Sequence, residues 1–431
     1  MKIAIIGTGI AGNAAAWLLN KNHDITVYEK NHYIGGHSNT VVTPQGTPVD
    51  TGFIVYNTPT YPNFVNLMAH LGVETQDSDM SFAVSFDCGG LEYAGSLKGL
   101  FAQKRNLFRP KHYKMIKDLL RFYKTVETVL DDPSIDPELS LGEYLDQNHY
   151  SKVFIEYHLL PMGAAIWSMT CEDMRAFPLI SFARFFKNHG LLKLNDRPIW
   201  RTVTGGSQSY VQALTQDHKD KIRLNCGVKS VRRVKAGVDV TDEHGEKETY
   251  DHVVFASHAD ETLTMIEDPT DHEKEVLGAF SYSLNTAILH QDETLMPRRK
   301  SVWSSWNYMA DSAASETKVA VSYWMNLLQS LPEDEPLFVT LNPLSKPDPD
   351  KTIATFSYTH PQFDKQTLQQ QGNICYIQGQ DRLWFCGSYC GYGFHEDGLA
   401  SALAVAEDLG GHKRPWKCKE SSVAGPNAKK A

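Results

Sequence analysis

The sequence has no CxxC pair, no uninterrupted apolar run long enough to cross a bilayer and no excess of basic residues. Its seven cysteines are scattered and odd in number, which favours reduced thiols over a disulfide framework or a metal site. The most apolar stretch, residues 3–19, contains Gly7, Gly9 and Gly12, so we expect neither a signal peptide nor a membrane span. A formal net charge of −9 argues against a general nucleic-acid binder. These absences predict a cytoplasmic protein without bound metal.

The composition is that of a folded enzyme rather than a disordered chain. Hydrophobic residues make up 42% of the 431 residues and charged residues 22%. A chain of this length buries a sizeable core in each of two or more lobes, without needing disulfides or metals for stability.

The first forty residues carry a complete βαβ pattern. A β-branched apolar run at residues 1–6 leads directly into the glycine-rich turn GTGIAG, and an Ala- and Leu-rich helical segment follows at residues 13–20. A second strand is predicted at residues 24–29 and ends on an acid, Glu29. The pattern predicts an α/β fold with a Rossmann-type dinucleotide-binding unit.

Each residue of the turn has a physical task. Gly7 makes the tight turn, Gly9 lets the backbone approach a pyrophosphate, and Gly12 lets the helix pack on the sheet. The phosphates are expected at the helix N-terminus, where free N–H groups and the helix dipole favour anions, and Glu29 is expected on the ribose. The phosphate-binding residues are therefore predicted to be Gly7, Gly9, Ile10, Ala11 and Gly12.

The residues after Glu29 distinguish between nucleotide cofactors. An acid followed by a second glycine pair resembles the extended fingerprint of the FAD-dependent, glutathione-reductase-like flavoproteins, and a later turn resembles the segment that lies against the flavin ring in them. A His occupies the place where many flavin amine oxidases have an Arg. The resemblance assigns these further residues to the FAD site: Lys30, Gly35, Gly36, His37, Gly52 and Phe53.

Two later segments resemble the remaining parts of such a site. Val228 stands where these flavoproteins bind the adenine with a strand backbone. The glycine-rich loop at residues 387–394 leads into a helix predicted at residues 399–409, whose N-terminus is expected to point at the flavin ring and raise its reduction potential. Gly387, Gly398 and Leu399 are assigned to the cofactor on this basis.

The same loop supplies the catalytic candidates. Tyr389 and Tyr392 are predicted to flank the flavin as an aromatic wall, and His395 and Glu396 to accept a proton. The alternative is that the tyrosines pack the loop and that His395 caps the helix. Aromatic and apolar stretches around Trp167, Trp200 and residues 303–308 are either ordinary core or the walls of an apolar tunnel.

One region departs from the acidic trend. Residues 104–124 contain eight basic residues and one acidic residue, with aromatic and leucine side chains interleaved. The segment is either a solvated helix with a core face or a patch that contacts an anionic membrane surface.

The cofactor segments divide the chain. The FAD-binding domain is predicted at 1–58, 200–258 and 380–412, and a substrate domain at 59–199 and 259–379. Residues 413–431 are polar and rich in small side chains, which predicts a frayed tail.

The motifs together resemble one family: the FAD-dependent oxidoreductases of the flavin amine oxidase/phytoene desaturase superfamily that accompany, or are fused ahead of, cyclopropane-fatty-acid synthases. The resemblance covers about residues 1–410. It is carried by IGGHSNTV (34–41), DTGFIVYN (50–57), WSSWNY (303–308), SYWMNLLQ (322–329) and, most specifically, WFCGSYCGYGFHEDGL (384–399).

The resemblance implies a fold and a function. The fold is a glutathione-reductase-like FAD domain with a discontinuous α+β substrate domain, as in the amine oxidases. The implied function is dehydrogenation of a modified fatty acyl chain of a phospholipid, with non-covalent FAD and a cyclopropane-fatty-acid-synthase-like methyltransferase as functional partner. Three alternatives stay open: an amine oxidase, a redox-neutral lipid isomerase, and a non-catalytic flavin-bound partner of the methyltransferase.

Overall fold

The computed structural model describes residues 1–167, 169–193, 196–311 and 318–418. Its first layer is a parallel sheet whose strands come from the beginning, middle and end of the chain. In spatial order the strands are Ile222–Arg223, Asp24–Tyr28, Lys2–Ile6, His252–Phe255 and Leu383–Phe385. The β-branched, apolar sequences of these strands suit a sheet buried on both faces.

Two helices cover one face of the parallel sheet. The first helix, Ile10–Leu19, is buried along its whole length, because its Ala and Gly residues let it lie between the sheet and the last helix, His395–Asp408. Ile3, Ile5 and Val254 point into this layer. The predicted last helix thus begins four residues earlier than the sequence pattern indicated.

The opposite face of the parallel sheet is covered by a three-stranded antiparallel meander, Val228–Val234, Gly237–Asp242 and Lys247–Tyr250. Short helices complete this layer, at Ala259–Met265, Asp271–Leu277, Lys365–Gln371 and Ile374–Ile377.

A large mixed sheet of seven strands forms the second part of the molecule. Its spatial order is Thr352–Gln362, Ser281–His290, Phe338–Leu341, Lys318–Trp324, Trp306–Asp311, Phe82–Phe86 and Leu91–Ala94. All neighbours are antiparallel except Trp306–Asp311 and Phe82–Phe86.

Helices from the first half of the chain pack on this sheet and share its core. The main ones are Pro110–Thr125, Leu141–Gln147, Leu160–Trp167, Cys171–Ala176 and Leu179–Asn188, with short helices at Leu97–Leu100 and Lys152–Phe154. Their core is rich in aromatic rings, among them Phe122, Phe154 and Phe182. A later short helix, Met325–Leu328, shares the same core, whereas Pro62–Leu71 packs in the core of the parallel sheet, against the last helix.

Two small antiparallel sheets are formed by short strands from residues 40–57, 75–78 and 200–203. One joins Thr40–Val42 to Pro48–Asp50, and the other contains Tyr56–Asn57, Trp200–Val203 and Thr75–Ser78. Within the described ranges, no helix is both long and apolar enough to cross a membrane.

The prediction of a frayed tail is wrong for residues 413–418. Arg414 donates to the Glu407 carboxylate at 2.7 and 3.1 Å, and the Trp416 ring stacks on Trp17 with centroids 6.0 Å apart. The indole N–H of Trp416 also donates to Asn63. One aromatic ring and one arginine therefore hold a polar segment in place. The rest of the predicted tail, 419–431, lies outside the described residues.

Candidate functional site

The glycine-rich turn has the geometry of a phosphate cradle. The first helix begins at Ile10, directly after Gly9, and no side chain caps its first N–H groups. A Cβ on Gly12 would lie 1.9 Å from the carbonyl oxygen of Gly7, so only glycine lets the helix approach the strand. A Cβ on Gly9 would meet no atom of the described residues within 4 Å. Open space thus lies in front of the N–H groups of Ile10 and Ala11.

The second glycine pair lies against this turn. Gly36 has a φ of +58°, and a Cβ on it would lie 3.1 Å from the Cα of Gly9. Gly35 directs its N–H toward the Thr8 hydroxyl at 3.4 Å. The fold therefore brings together two glycine motifs that are 23 residues or more apart in the sequence. This side-chain-free space fits a pyrophosphate on the first helix.

Glu29 lies buried at the end of its strand. One carboxylate oxygen accepts bonds from the backbone N–H and hydroxyl of Thr8 at 3.0 and 2.5 Å, and the other accepts from the backbone and side chain of Asn31, both at 2.8 Å. These bonds use the acceptor capacity of both oxygens. A ribose at this carboxylate must therefore replace a side-chain donor, either the Thr8 hydroxyl or the Asn31 amide.

The neighbouring predicted residues differ in their surroundings. The N–H of Cys226 donates to the carbonyl of Glu29 at 2.8 Å, which places the start of the Val228 strand beside the predicted ribose end of the site. Val228 is buried. Lys30, in contrast, is exposed and pairs with Glu261 at 2.6 Å. The cofactor roles of Val228 and Lys30 stay predictions.

His37 and the turn at Gly52 are joined through the backbone. The carbonyl of His37 accepts the N–H of Phe53 at 2.8 Å, and a Cβ on Gly52 would lie 2.3 Å from the same carbonyl oxygen. Glycine at 52 therefore keeps the two segments adjacent. The predicted residues 37, 52 and 53 lie next to the glycine cradle as a result.

The His37 ring faces two side chains of the substrate half, Tyr358 and His360, and one of the FAD-binding segments, His258. Its centroid lies 5.0 Å from Tyr358, 5.5 Å from His360 and 6.4 Å from His258. Burial, followed by the neighbouring His360, holds the pKa of His37 well below its usual range. Burial also lowers the pKa of His360 to about 4. The cluster is neutral at physiological pH, and Nε2 of His37 has no hydrogen-bond partner among the described residues.

His395 does not have the electrostatics predicted for it. Its ring stacks on Phe53 with centroids 3.8 Å apart, and its Nε2 lies 2.8 Å from the Tyr210 hydroxyl. Burial lowers the pKa of His395 to about 3. This low pKa does not support a proton acceptor that titrates near neutrality, and the catalytic role of His395 stays a prediction. The ring is a neutral, stacked group that links Phe53 to Tyr210.

Glu396 is used in an unexpected way. One carboxylate oxygen accepts from the backbone and side chain of Asn63, both at 2.8 Å, and the other from the N–H of Phe64 at 3.0 Å. The carboxylate thus accepts free N–H groups at the N-terminus of the helix Pro62–Leu71. Burial raises the pKa of Glu396 to about 7. These bonds indicate that Glu396 holds the start of that helix in place. Its contacts give no support to the proton-accepting role, which stays a prediction.

Asp397 is a buried acid that the sequence reasoning missed. Its Oδ2 accepts the backbone N–H groups of Tyr392 and Phe394, at 3.1 and 2.9 Å, and so shapes the loop before the last helix. Burial raises the pKa of Asp397 to about 8. Its place just before the helix predicted at residues 399–409 was the available signal, because acids are favoured near helix N-termini.

The remaining loop residues divide between core and site. Tyr389 is buried against Phe280 in the core on the far side of the parallel sheet, which does not favour a place beside the flavin. Tyr392 is buried and lies against Arg184 of the substrate half. Gly387 donates its N–H to the Ser401 hydroxyl at 3.0 Å.

Gly398 and Leu399 lie inside the last helix rather than at its free end. The N–H of Gly398 donates to the carbonyl of Phe394 at 3.2 Å, so it is not open to a ligand. A Cβ on Gly398 would lie 3.2 Å from the Ile10 side chain, and Leu399 is fully buried. Glycine here lets the last helix approach the first. Because the helix begins at His395, its unpaired N–H groups lie earlier than the sequence predicted.

An aromatic layer leads from this loop into the substrate half. Phe394 stacks on Phe185 with centroids 4.9 Å apart, and Phe185 stacks on His189 at 3.8 Å. Trp200 continues the layer beyond His189, and Trp167 lies 4.5 Å from Phe185. Burial lowers the pKa of His189 to about 4, so the layer carries no charge at neutral pH.

The glycine cradle, the buried acid at the strand end and the two converging helices fit a bound dinucleotide. Comparison with known proteins decides the family, because residues 10–410 match the profile of the flavin containing amine oxidoreductases. The chain belongs to this family. Its cofactor is accordingly FAD, and the protein is an FAD-dependent oxidoreductase with a Rossmann-type domain.

Solved structures share the fold over almost the whole chain. Putrescine oxidase with bound putrescine superposes with a TM-score of 0.69 at 15% identity, covering 95% of this chain and 99% of that one. A fatty acid isomerase from P. acnes that produces CLA gives 0.66 at 15% identity, covering 95% and 98%. These low identities establish the fold alone.

Curated relatives match shorter stretches. The zeta-carotene desaturase of Capsicum annuum is 36% identical over 75 residues, which are 17% of this chain and 13% of the relative. A putative monoamine oxidase, AofH, of Mycobacterium tuberculosis is 26% identical over 264 residues, 57% of this chain and 54% of the relative. The chain therefore matches about half or less of each relative's length.

Proposed function

We propose that this protein removes hydrogen from a neutral, apolar substrate, a modified fatty acyl chain of a phospholipid, rather than from an amine. The observation that carries this proposal is the uncharged aromatic layer from Phe394 through Phe185 and His189 to Trp200. It begins at the loop of the last flavin motif and continues through Phe185 and His189 of the substrate half to Trp200. Apolar walls of this kind bury hydrocarbon favourably and offer no counter-ion for an ammonium group.

The acids near the site support the same substrate class. Amines reach an enzyme as cations, so a buried carboxylate facing them is the usual means of holding them. Glu396 and Asp397 lie in the right loop, but their oxygens accept backbone N–H groups of Phe64, Tyr392 and Phe394. Neither acid is directed at the aromatic layer by these bonds.

FAD, when bound, supplies the acceptor for two electrons as a hydride. The acyl chain loses that hydride to the cofactor and one proton to the reduced cofactor or to water, and it gains one carbon–carbon double bond. The residues of this chain position the two reactants. The N–H groups of Ile10 and Ala11 face the pyrophosphate, while Phe53 and His395 form a stacked pair beside the predicted flavin segment. The aromatic layer keeps water from the acyl chain.

The modified acyl chain is the kind of product made by a methyltransferase of the cyclopropane-fatty-acid-synthase type. The support for this partner is the motif resemblance at residues 34–41 and 384–399. An allylic C–H bond is much weaker than that of an isolated methylene, which favours a modified chain that retains a double bond over a plain saturated one.

The test is an anaerobic titration of the FAD-loaded protein. Phospholipids with cyclopropane, methyl-branched, unsaturated and saturated chains are added in turn, followed by a panel of primary amines and polyamines. We expect the visible flavin band to bleach with one class of modified lipid and to stay unchanged with amines. Bleaching by amines alone would identify an amine oxidase. An unbleached flavin with shifted double bonds would identify an isomerase, and no change of any kind a non-catalytic partner. Each of these three results overturns the proposal.

A further inference from the structure

An exposed apolar cluster lies far from the flavin motifs in the sequence. Five of the twelve exposed large apolar side chains of the described residues lie between residues 97 and 120. Leu97 and Phe108 each expose 85% of their surface. Single exposed apolar side chains are ordinary, whereas a cluster marks an interaction surface. The apolar patch is defined as Leu97, Leu107, Phe108, Tyr113 and Leu120.

Hydrogen bonds hold the patch together as one surface. The segment before the helix Pro110–Thr125 folds back on it, because Nε2 of His112 lies 2.8 Å from the carbonyl oxygen of Leu100. The Tyr113 hydroxyl donates to the carbonyl of Leu107 at 3.0 Å. The exposed tips of the loop therefore lie beside the first turn of the helix rather than moving independently of it.

The helix itself extends the surface. Tyr113 and Leu120 are two turns apart and so lie on one face, and Lys117 and Lys124 share that face at spacings of four and eleven residues. All four side chains are exposed. Apolar and basic side chains thus alternate along the outer face of the helix.

The charge of this surface opposes that of the whole chain. Residues 104–124 hold eight of the basic residues and only one acid, Asp118, in a chain with a formal net charge of −9. Asp118 pairs with Arg121. Several lysines of the surface have no carboxylate within 4 Å among the residues that the structure describes. These unpaired lysines are Lys104, Lys111, Lys114, Lys117 and Lys124.

We propose that the apolar patch and its unpaired lysines bind the surface of an anionic lipid bilayer, with Leu97 and Phe108 inserted at the boundary between headgroups and acyl chains. Basic residues near such a surface each contribute to binding, and apolar tips gain by leaving water. A nucleic acid would satisfy the lysines but leave Leu97 and Phe108 in water. A second copy of this acidic chain supplies negative charge but no fluid apolar layer.

The experiment is vesicle flotation with the full FAD-loaded chain. Vesicles contain either phosphatidylcholine alone or a mixture with phosphatidylglycerol, at low and at high salt. We expect binding to the anionic vesicles that falls by tenfold or more as salt screens the lysines, and weak binding to neutral vesicles. Bilayer binding needs no turnover. A failed flotation therefore leaves the proposed dehydrogenation intact, and a failed dehydrogenation leaves the bilayer proposal intact.

Two variants and two matched controls locate the surface. Replacing Lys111, Lys114 and Lys117 together by Gln is expected to weaken partition into anionic vesicles roughly a hundredfold. The control replaces an equal number of exposed lysines elsewhere by Gln, namely Lys219, Lys229 and Lys235.

A second variant with its own control tests the apolar side chains of the patch. Phe108→Ser is expected to weaken partition roughly tenfold, and Leu284→Ser, at a residue 70% exposed on another surface, is its control. Circular dichroism confirms that each variant is folded. Binding that is lost in the patch variants and kept in both controls supports the proposal.

Three results would overturn the proposal. The first is no binding of the folded wild type to anionic vesicles. The second is equal loss of binding in patch variants and controls. The third is a wild type that ignores vesicles but self-associates in sedimentation, with Phe108→Ser monomeric, because that result assigns the patch to a second copy of the chain.

Discussion

Replacing Gly9 by Ala is expected to weaken FAD binding while leaving the stability of the fold almost unchanged. Gly9 has a φ of −64°, which alanine adopts without strain, and a Cβ there meets no described atom within 4 Å. The free energy of unfolding of the FAD-free protein is therefore expected to change by less than about 1 kcal/mol, since a small loss at the helix N-cap is offset by a stiffer unfolded chain.

FAD affinity is expected to fall, because the new methyl group occupies the space in front of the first helix. Displacing the pyrophosphate by one methyl radius costs one or two hydrogen bonds to a charged group, about 2–4 kcal/mol in all. That loss corresponds to roughly a 30- to 1,000-fold increase in Kd. Gly12→Ala differs, since its Cβ would lie 1.9 Å from the Gly7 carbonyl oxygen, and it should lower both stability and affinity.

The assay combines a thermal melt of the FAD-free protein with a titration that follows quenching of flavin fluorescence. Gly95→Ala is the matched control, because its Cβ makes an ordinary contact at 3.6 Å from Phe82 and lies outside the cradle. Wild-type FAD affinity in Gly9→Ala would refute the placement of the pyrophosphate on the first helix. A large loss of stability in Gly9→Ala would contradict the finding that a Cβ at position 9 meets open space.

Three further changes test other parts of the structure. Burial lowers the pKa of His218 to about 4, below its unfolded value, so the wild type loses stability as pH falls from 6.5 toward 4. We expect His218→Phe to raise the free energy of unfolding by about 2 kcal/mol at pH 5 and by little at pH 7.5, as measured by urea unfolding. Trp416→Ala removes the stack on Trp17 and should lower the unfolding free energy by about 1 kcal/mol, whereas no change would mean that the segment is not docked. Phe394→Leu should lower kcat/KM for the lipid roughly tenfold at unchanged FAD content, and an unchanged kcat/KM would remove the aromatic layer from the substrate path.

The cofactor half was predictable because its signals are local. The βαβ unit and the turn at Gly7, Gly9 and Gly12 follow from spacing alone. The structure supplies the reason for glycine at 12, because a Cβ there would lie 1.9 Å from the carbonyl oxygen of Gly7. The glycine pair at 35 and 36 was recognisable from its resemblance to known flavoproteins. The flavin amine oxidoreductase family, the fold and FAD were confirmed, whereas the relation to cyclopropane-fatty-acid synthases stays a prediction.

The catalytic candidates were harder to predict, because their properties depend on distant partners. Nothing near Glu396 in the sequence indicates that Asn63, 333 residues away, takes its carboxylate. The low pKa of His395 results from burial between Phe53 and Tyr210, which come from two other segments. The docking of Trp416 on Trp17 is likewise a long-range contact within a composition that resembles a loose tail.

A single turnover under anaerobic conditions tests the central claim most directly. One equivalent of FAD-loaded protein is mixed with a phospholipid whose acyl chain carries a methyl branch or a cyclopropane ring. The mass of the acyl chain is measured by mass spectrometry, and the flavin spectrum is recorded in parallel. We predict that one acyl chain loses two hydrogens for each flavin that is reduced. Bleached flavin with amines and an unaltered acyl mass would contradict it.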